Sequence, residues 1–413
     1  MKLLFLLQDL PYPPSNGYRQ KVFNLLGYMA QKHQCDVLAL GTPEDLKRST
    51  QWLREIPGVR VLGVLSPDQA PLLRARQLFK FLFSSSSPSW LRFRSHALEQ
   101  AIDRALSEES YDAAHVDLQG MAQYCKHLGK MRRVLSLNDA LSLSRLGEAR
   151  NRFAPPRMRI SSLLMVWPQM RVDKALFGLA DAVHFVGAYD ADWCRRRFGV
   201  MNAVYLPLAV ESAFLQTERK RDQGDGSRKI IIVDKLWASQ YRNAVKNFLS
   251  KYWVALYTKY QNVKLTVIGG KGMPADFQHY ARNLPGVELH DWVDRLEDTL
   301  AETDIAVFPY SVAVGMKTRV LQCMASMNAV VGTPNAFLGL PVYHKQHVFI
   351  AEDQNEIARG IEELLVSDVL RDQMGRSARE LIQQHFTQET IGEAWERLYE
   401  DVKKGRKLHD SYA

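Results

Sequence analysis

Short apolar runs alternate along the chain with longer stretches in which apolar residues recur every three or four positions. Leu3–Leu7, Asp36–Leu40, Val59–Val64, Ala113–Val116, Val134–Leu137, Ala182–Val186 and Ala203–Leu206 form one series of runs. Lys229–Val233, Val263–Ile268, Val287–His290, Ile305–Phe308, Ala329–Val331 and Val348–Ile350 form a second. Runs without polar alternation suit strands buried on both faces, and strands that alternate with helices build parallel sheets. Helical spacing runs from about Gln20 to Lys32 in the first half. In the second it covers Asn243–Tyr260, Ala275–Asn283, Leu296–Glu302, Thr318–Ser326, Gln354–Val366, Asp368–His385 and Thr387–Lys404. Between the two series Thr217–Arg228, TERKRDQGDGSR, contains no apolar residue, which is the composition of a linker. The pattern predicts an α/β protein of two doubly wound, Rossmann-like domains, 1–212 and 229–390, joined by a linker at 213–228. A last helix, 391–413, is expected to pack back on the first domain through Trp395 and Tyr399.

Length and composition agree with that picture. A chain of 413 residues has room for about two domains, and 46% hydrophobic with 24% charged residues is an ordinary globular balance. The formal net charge of +9 favours anionic partners: nucleotide phosphates, anionic lipid or nucleic acid. Cys35, Cys125, Cys194 and Cys323 are widely spaced and form no CxxC pair, which argues for a reducing compartment and against a zinc site or disulfide framework. The opening run of MKLLFLLQDL is too short for a secretory leader and is broken by Gln8-Asp9, and no run approaches the ~20 apolar residues of a spanning helix. A cytoplasmic protein is expected. In Pro71–Leu98, Arg74, Arg76, Lys80, Arg92 and Arg94 interleave with Leu78, Phe79, Phe81, Trp90 and Phe93. This suits the surface of an anionic membrane, or equally a packed helix with snorkelling arginines. No nucleic-acid motif accompanies it.

Candidate chemistry collects at predicted strand ends, where open α/β sheets bind ligands. After the first strand comes Pro11–Arg19, PYPPSNGYR, with Gly17, Tyr18 and Arg19 entering the first helix. It is not GxGxxG, so a dinucleotide fingerprint is absent. Two further strands end in His115 and Asp117, and in Asn138 and Asp139. The segment Asp304–Pro334, DIAVFPYSVAVGMKTRVLQCMASMNAVVGTP, reads as strand, turn, helix, strand. Gly315 beside the helix start leaves backbone N–H groups pointing at an anion site. Lys317 and Arg319 in the first helical turn oppose the helix dipole, which makes sense if a phosphate sits among them; the alternative is a plain βαβ unit with solvated basic residues. Asp190 and Asp192, the only DxD pair in a suitable place, fall at a helix start, where acidic residues simply favour the dipole.

In order along the chain, an apolar first strand, PYPPSNG, a mid-chain linker, Val267-Ile268-Gly269-Gly270, Gly315-Met316-Lys317 and Val320–Ala325 resemble the retaining, family-4-like glycosyltransferases of GT-B fold, in particular sugar transferases of bacterial exopolysaccharide clusters. The family pattern E-G-F-G-x-x-x-L-E-A-M-A is met here by V-G-M-K-T-R-V-L-Q-C-M-A. The resemblance implies two Rossmann-like domains facing across a cleft. It implies a metal-independent hexosyl transfer from a UDP- or GDP-sugar to a glycan or lipid-linked acceptor, at the inner membrane face, with no cofactor. It assigns Lys317, with Arg319 and the amides after Gly315, to the leaving diphosphate, and Lys235 and Arg242 to a basic pair beside it. Met316, Thr318, Gln322, Gly270 and the neighbourhood of Val293 fall around the donor. Asp139 is placed to orient or deprotonate an acceptor held near Gly17, Tyr18, Arg19, His115 and Asn138. Two departures stand out: the usual ribose-binding glutamate is Gln322, and the usual glutamate near the transferred sugar is Val314. They leave open a catalytically degenerate GT-B subunit that scaffolds a partner transferase. A GT-B epimerase or phosphorylase is a more distant alternative.

Overall fold

The computed structural model describes all residues except 13–16, 43–52, 54–55, 69–80, 82–86, 151–154, 221–225, 311–315, 410 and 413. The chain forms two compact units. The first comprises 1–150, 155–209 and 388–413; the second comprises 151–154 and 210–387.

The first unit is built on seven parallel strands in the order β3-β2-β1-β4-β5-β6-β7. These are β1 (Lys2–Leu7), β2 (Gln34–Leu40), β3 (Val59–Leu65), β4 (Ala113–Asp117), β5 (Arg133–Ser136), β6 (Ala182–Phe185) and β7 (Ala203–Tyr205). Five consecutive residues of β1, Leu3–Leu7, are fully buried, as a strand covered on both faces demands. The helix Gly17–Met29 covers one face with Val22, Leu25, Leu26 and Met29. The last helix, Gln388–Lys404, covers the same face with Ile391, Ala394, Trp395, Leu398, Tyr399 and Val402. The C-terminal segment therefore completes a core that begins at residue 3.

The second unit holds six parallel strands in the order β10-β9-β8-β11-β12-β13: β8 (Arg228–Val233), β9 (Val263–Ile268), β10 (Val287–His290), β11 (Ile305–Phe308), β12 (Ala329–Gly332) and β13 (Phe349–Ile350). Trp253, Phe248, Phe277, Ile361 and Leu364 fill the layer beside it. The single helix expected over Asn243–Tyr260 is instead three pieces, Ser239–Phe248, a π-helical turn Leu249–Trp253 and Val254–Lys259. The π turn keeps both Leu249 and the large Trp253 buried, and Trp253 Nε1 donates to the Pro285 carbonyl at 2.8 Å.

In each sheet the strand order reverses once, between β1 and β4 and between β8 and β11. Loops leaving the carboxyl ends of such strand pairs diverge and open a crevice. The position of any site in each unit follows from that topology. Among the described residues no helix is long and apolar enough to cross a membrane.

Candidate functional site

At the reversal point of the second unit, β8 runs into Asp234 and β11 into Tyr310. The Tyr310 hydroxyl donates to Asp234 Oδ2, and the buried Tyr310 ring meets the Tyr241 ring edge-on at 5.1 Å. Burial pushes the Tyr310 hydroxyl well above its ordinary pKa, and Asp234 adds to the effect, so the phenol remains a donor.

Lys317 is the residue at the N-terminal cap of the helix Thr318–Ala325. Its ammonium donates to the Tyr241 hydroxyl at 2.9 Å and lies 5.1 Å and 5.9 Å from the Tyr241 and Tyr310 ring centres. Two aromatic faces hold the cation by quadrupole attraction without neutralising it. Lys317 is half-buried.

In the first turn of the same helix, Arg319 Nη1 donates to Gln322 Oε1 at 2.8 Å. Gln322 Nε2 donates to the Glu211 carboxylate, with contacts of 3.2 Å and 3.4 Å. Burial raises the Glu211 pKa above its usual value. Both ends of the Gln322 amide are thus engaged, and the nearest carboxylate is supplied by Glu211, which no sequence signal singled out. Met316 is buried, Thr318 is half-buried, and Val293 is half-buried beside an exposed Trp292. Lys235 is exposed. Arg242 Nη1 donates to the carbonyls of Leu236 and Trp237 at 3.1 Å and 2.9 Å, so it braces the loop after β8. Gly270 has φ +77°, a left-handed conformation that favours glycine in this turn after β9. Gly315 and Val314 lie outside the described residues.

The first unit carries a second cluster at its own reversal point. Lys21, on the buried face of its helix, donates to Asp117 Oδ1 at 2.9 Å, Ser136 Oγ at 2.8 Å and Asn138 Oδ1 at 3.1 Å. Burial alone would raise the Asp117 pKa, but the Lys21 ammonium and His115 beside it hold the carboxyl well below the usual range. The register that aligns Asp117 with Ser136, and Ser136 with His184, puts the three in one row across β4, β5 and β6. His184 Nδ1 and Ser136 Oγ are 3.0 Å apart, and His184 Nε2 meets the Leu206 carbonyl at 2.8 Å.

His115 was expected near the acceptor; the structure corrects this. It is fully buried, 2.6 Å from the Tyr399 hydroxyl, stacked on Phe5 and edge-on to Trp395. A strand residue two before the end faces the same side as Asp117 but one step deeper, under the last helix. Desolvation lowers its pKa, although Asp117, 3.5 Å from Nε2, pulls the other way. Asn138 and Asp139 are half-buried at the end of β5. Asp190 accepts from the Ala140 N–H at 2.8 Å, and burial together with the Asp139 charge pushes its pKa up to about 7. Tyr18 and Arg19 sit in the first turn of their helix, after Gly17; Arg19 pairs with Asp9 at 2.8 Å. Of the basic aromatic stretch 71–98, residues 71–80 and 82–86 lie outside the described residues. In the rest Trp90 and Phe93 pack against the first unit's core, and Trp90 Nε1 donates to the Gln119 carbonyl at 2.9 Å.

Comparisons with known proteins bear on these clusters. Residues 227–367 match the family model described as glycosyl transferases group 1. No curated protein matches the chain. Among solved structures, sucrose-phosphate synthase of Thermosynechococcus elongatus superposes with TM-score 0.70 at 14% identity, covering 98% of this chain and 100% of that one. HepE of Anabaena, solved in complex with UDP, gives 0.66 at 14% identity over 97% and 100%. A glycosyltransferase of Rickettsia africae gives 0.66 at 8% over 98% and 99%. At such identities the likeness shows the fold, and the fold is GT-B: two parallel-sheet, Rossmann-like domains.

Proposed function

Since the chain has the GT-B fold and carries a group 1 glycosyltransferase domain over residues 227–367, we propose that it transfers a hexosyl group, with retention, from a UDP- or GDP-sugar to a glycan or lipid-linked acceptor of a surface polysaccharide. The observation that carries the reading is Lys317: a cation at a helix N-terminus, steadied by two tyrosines at the reversal point of the second sheet. Charge grows on the diphosphate as the glycosidic bond breaks, and pre-placed cations lower that barrier. Lys317 and Arg319 supply them in this proposal, joined by Lys235, exposed in the loop after β8. HepE was solved with UDP and also with UDP-glucose, which favours a nucleotide sugar as donor.

The acceptor is assigned to the first unit, near Gly17, Tyr18 and Arg19, with Asn138 and Asp139 at the end of β5. Asp139 orients or deprotonates the incoming hydroxyl; in a front-face retaining transfer the departing phosphate also takes protons. No metal or cofactor is invoked. The site of action in this proposal is the cytoplasmic face of a membrane.

The test is thermal. UDP-, GDP- and dTDP-sugars are screened for a rise in melting temperature. One of them is expected to stabilise the protein, and Lys317→Ala is expected to erase the shift. No shift with any nucleotide sugar sinks the proposal. A second reading has its own observation: Gln322, engaged by Arg319 and Glu211, is neutral where the resemblance puts a ribose-binding carboxylate, which favours a scaffold subunit without turnover. Release of nucleoside diphosphate by the purified chain, dependent on acceptor, rules that reading out.

A further inference from the structure

The helix Pro156–Leu176 is turned inside out. Its buried side carries Ser162, Gln169 and Asp173 among Pro168, Val172 and Leu176. That side is held by polar contacts: Asp173 accepts from the Ser142 N–H at 2.9 Å, from Ser142 Oγ at 2.5 Å and from Gln169 Nε2 at 2.8 Å. The opposite side carries Ile160, Leu163, Leu164 and Trp167, which are 60%, 60%, 66% and 62% exposed. At about 100° per residue these four fall in one stripe. Isolated exposed apolar residues need no explanation, but a contiguous stripe on a helix that hides polar groups marks an interaction surface.

Charge identifies the partner. Arg157 lies on the same stripe before the apolar residues, and Arg171 and Lys174 lie on it after them. The Arg171 guanidinium stacks 4.8 Å from the centre of the Trp167 ring. The only acid in the helix, Asp173, is on the buried side. From Arg157 to Lys174 the helix rises ~26 Å, so an apolar ridge with an aromatic is bracketed by cations along its whole length. That is the arrangement of a helix lying in the interface of an anionic bilayer. A second copy of the chain fits poorly, because pairing two such ridges antiparallel brings Arg157 against Arg171 and Lys174, like against like.

We propose that the exposed face of Pro156–Leu176 docks the protein on an anionic lipid surface, with Ile160, Leu163, Leu164 and Trp167 inserted and Arg157, Arg171 and Lys174 on the headgroups. The inference stands apart from the transferase reading, since it needs no sugar donor. The test is flotation of the full chain with phosphatidylcholine vesicles, with and without phosphatidylglycerol. The protein is expected to float with the anionic vesicles and to release as salt is raised. The triple variant Leu163→Ser, Leu164→Ser, Trp167→Ser is expected to lose at least tenfold in partitioning while keeping its melting temperature, because these side chains are exposed. Arg157→Glu with Lys174→Glu is expected to abolish the preference for anionic lipid. If the wild-type chain stays with the soluble fraction, or the triple variant floats as well as wild type, the proposal is wrong. It is equally overturned if light scattering shows a dimer that the triple variant dissolves.

Discussion

Lys21 shows how much depends on one buried charge. The residue is 6% exposed, and its ammonium satisfies Asp117, Ser136 and Asn138 together. Removing it leaves Asp117 fully buried without a cation, and breaking one side of such a pair costs about 3–5 kcal/mol. Lys21→Met is therefore expected to lower the stability of the first unit by roughly that amount at pH 7, read by chemical denaturation. The pH dependence has a definite sign. The folded-state pKa of Asp117 is depressed, so the stability it contributes is present above the unfolded value of about 3.9 and is lost as pH falls below it. In the variant Asp117 folds as the neutral acid, so the gap between variant and wild type should shrink towards pH 3. A gap that is flat in pH would show that the ion pair is not what Lys21 provides. If Asn138 does face an acceptor, Lys21 is also what fixes the orientation of its amide.

The helices that close the first unit meet without space to spare. Gln388–Lys404 packs on Gly17–Met29, joined by Gln388 Nε2 to Asn24 Oδ1 at 3.0 Å and by Glu396 to Lys32 and His33 at 3.1 Å and 2.9 Å. Between them Gly392 faces the Tyr28 ring, and a Cβ at 392 would come within 2.2 Å of it. Alanine in a helix is favoured over glycine by up to about 1 kcal/mol, whereas an overpacked methyl costs about 1–3 kcal/mol. Gly392→Ala should destabilise, and Tyr28→Ala in the same chain should recover part of the loss; a simple gain in stability for the single variant would refute this packing. The pairing of these two helices is not readable from their separate periodicities, because each shows only its own apolar stripe. What periodicity does show, it shows well: Val263–Ile268, Val287–His290, Ile305–Phe308, Gln354–Val366 and Asp368–His385 form with the bounds their runs suggest. The π turn at Leu249–Trp253 hid because one inserted residue barely disturbs a 3.6-residue repeat. In the candidate sites, Lys317 stood out as a cation at a helix start. Tyr241, Tyr310, Asp234 and Glu211 did not, because each gains meaning only from a partner distant in the chain. Lys21 did leave a trace, a lysine on the stripe of Val22, Leu25 and Leu26.

At the scale of the molecule the two units are wired differently. The first takes residues from both ends of the chain; the second runs without interruption from Val210 to Thr387 apart from the small segment 151–154. It closes on itself, since Val210 bridges to Thr387 and its N–H donates to the Phe386 carbonyl at 2.8 Å. It also holds the matched region 227–367, Lys317 with its two tyrosines, and the Arg319–Gln322–Glu211 chain. With its own sheet and core it meets the usual requirements of an independent domain. The fragment Val210–Thr387 is therefore expected to melt cooperatively by itself. Its melting temperature should rise with the same nucleotide sugar that stabilises the whole chain, and Lys317→Ala should remove that rise. Glu211→Ala in the fragment separates the carboxylate from the rest. A variant fragment that still folds but responds about tenfold more weakly would assign Glu211 to nucleotide recognition, whereas an unchanged response would leave the donor to Lys317 and Arg319.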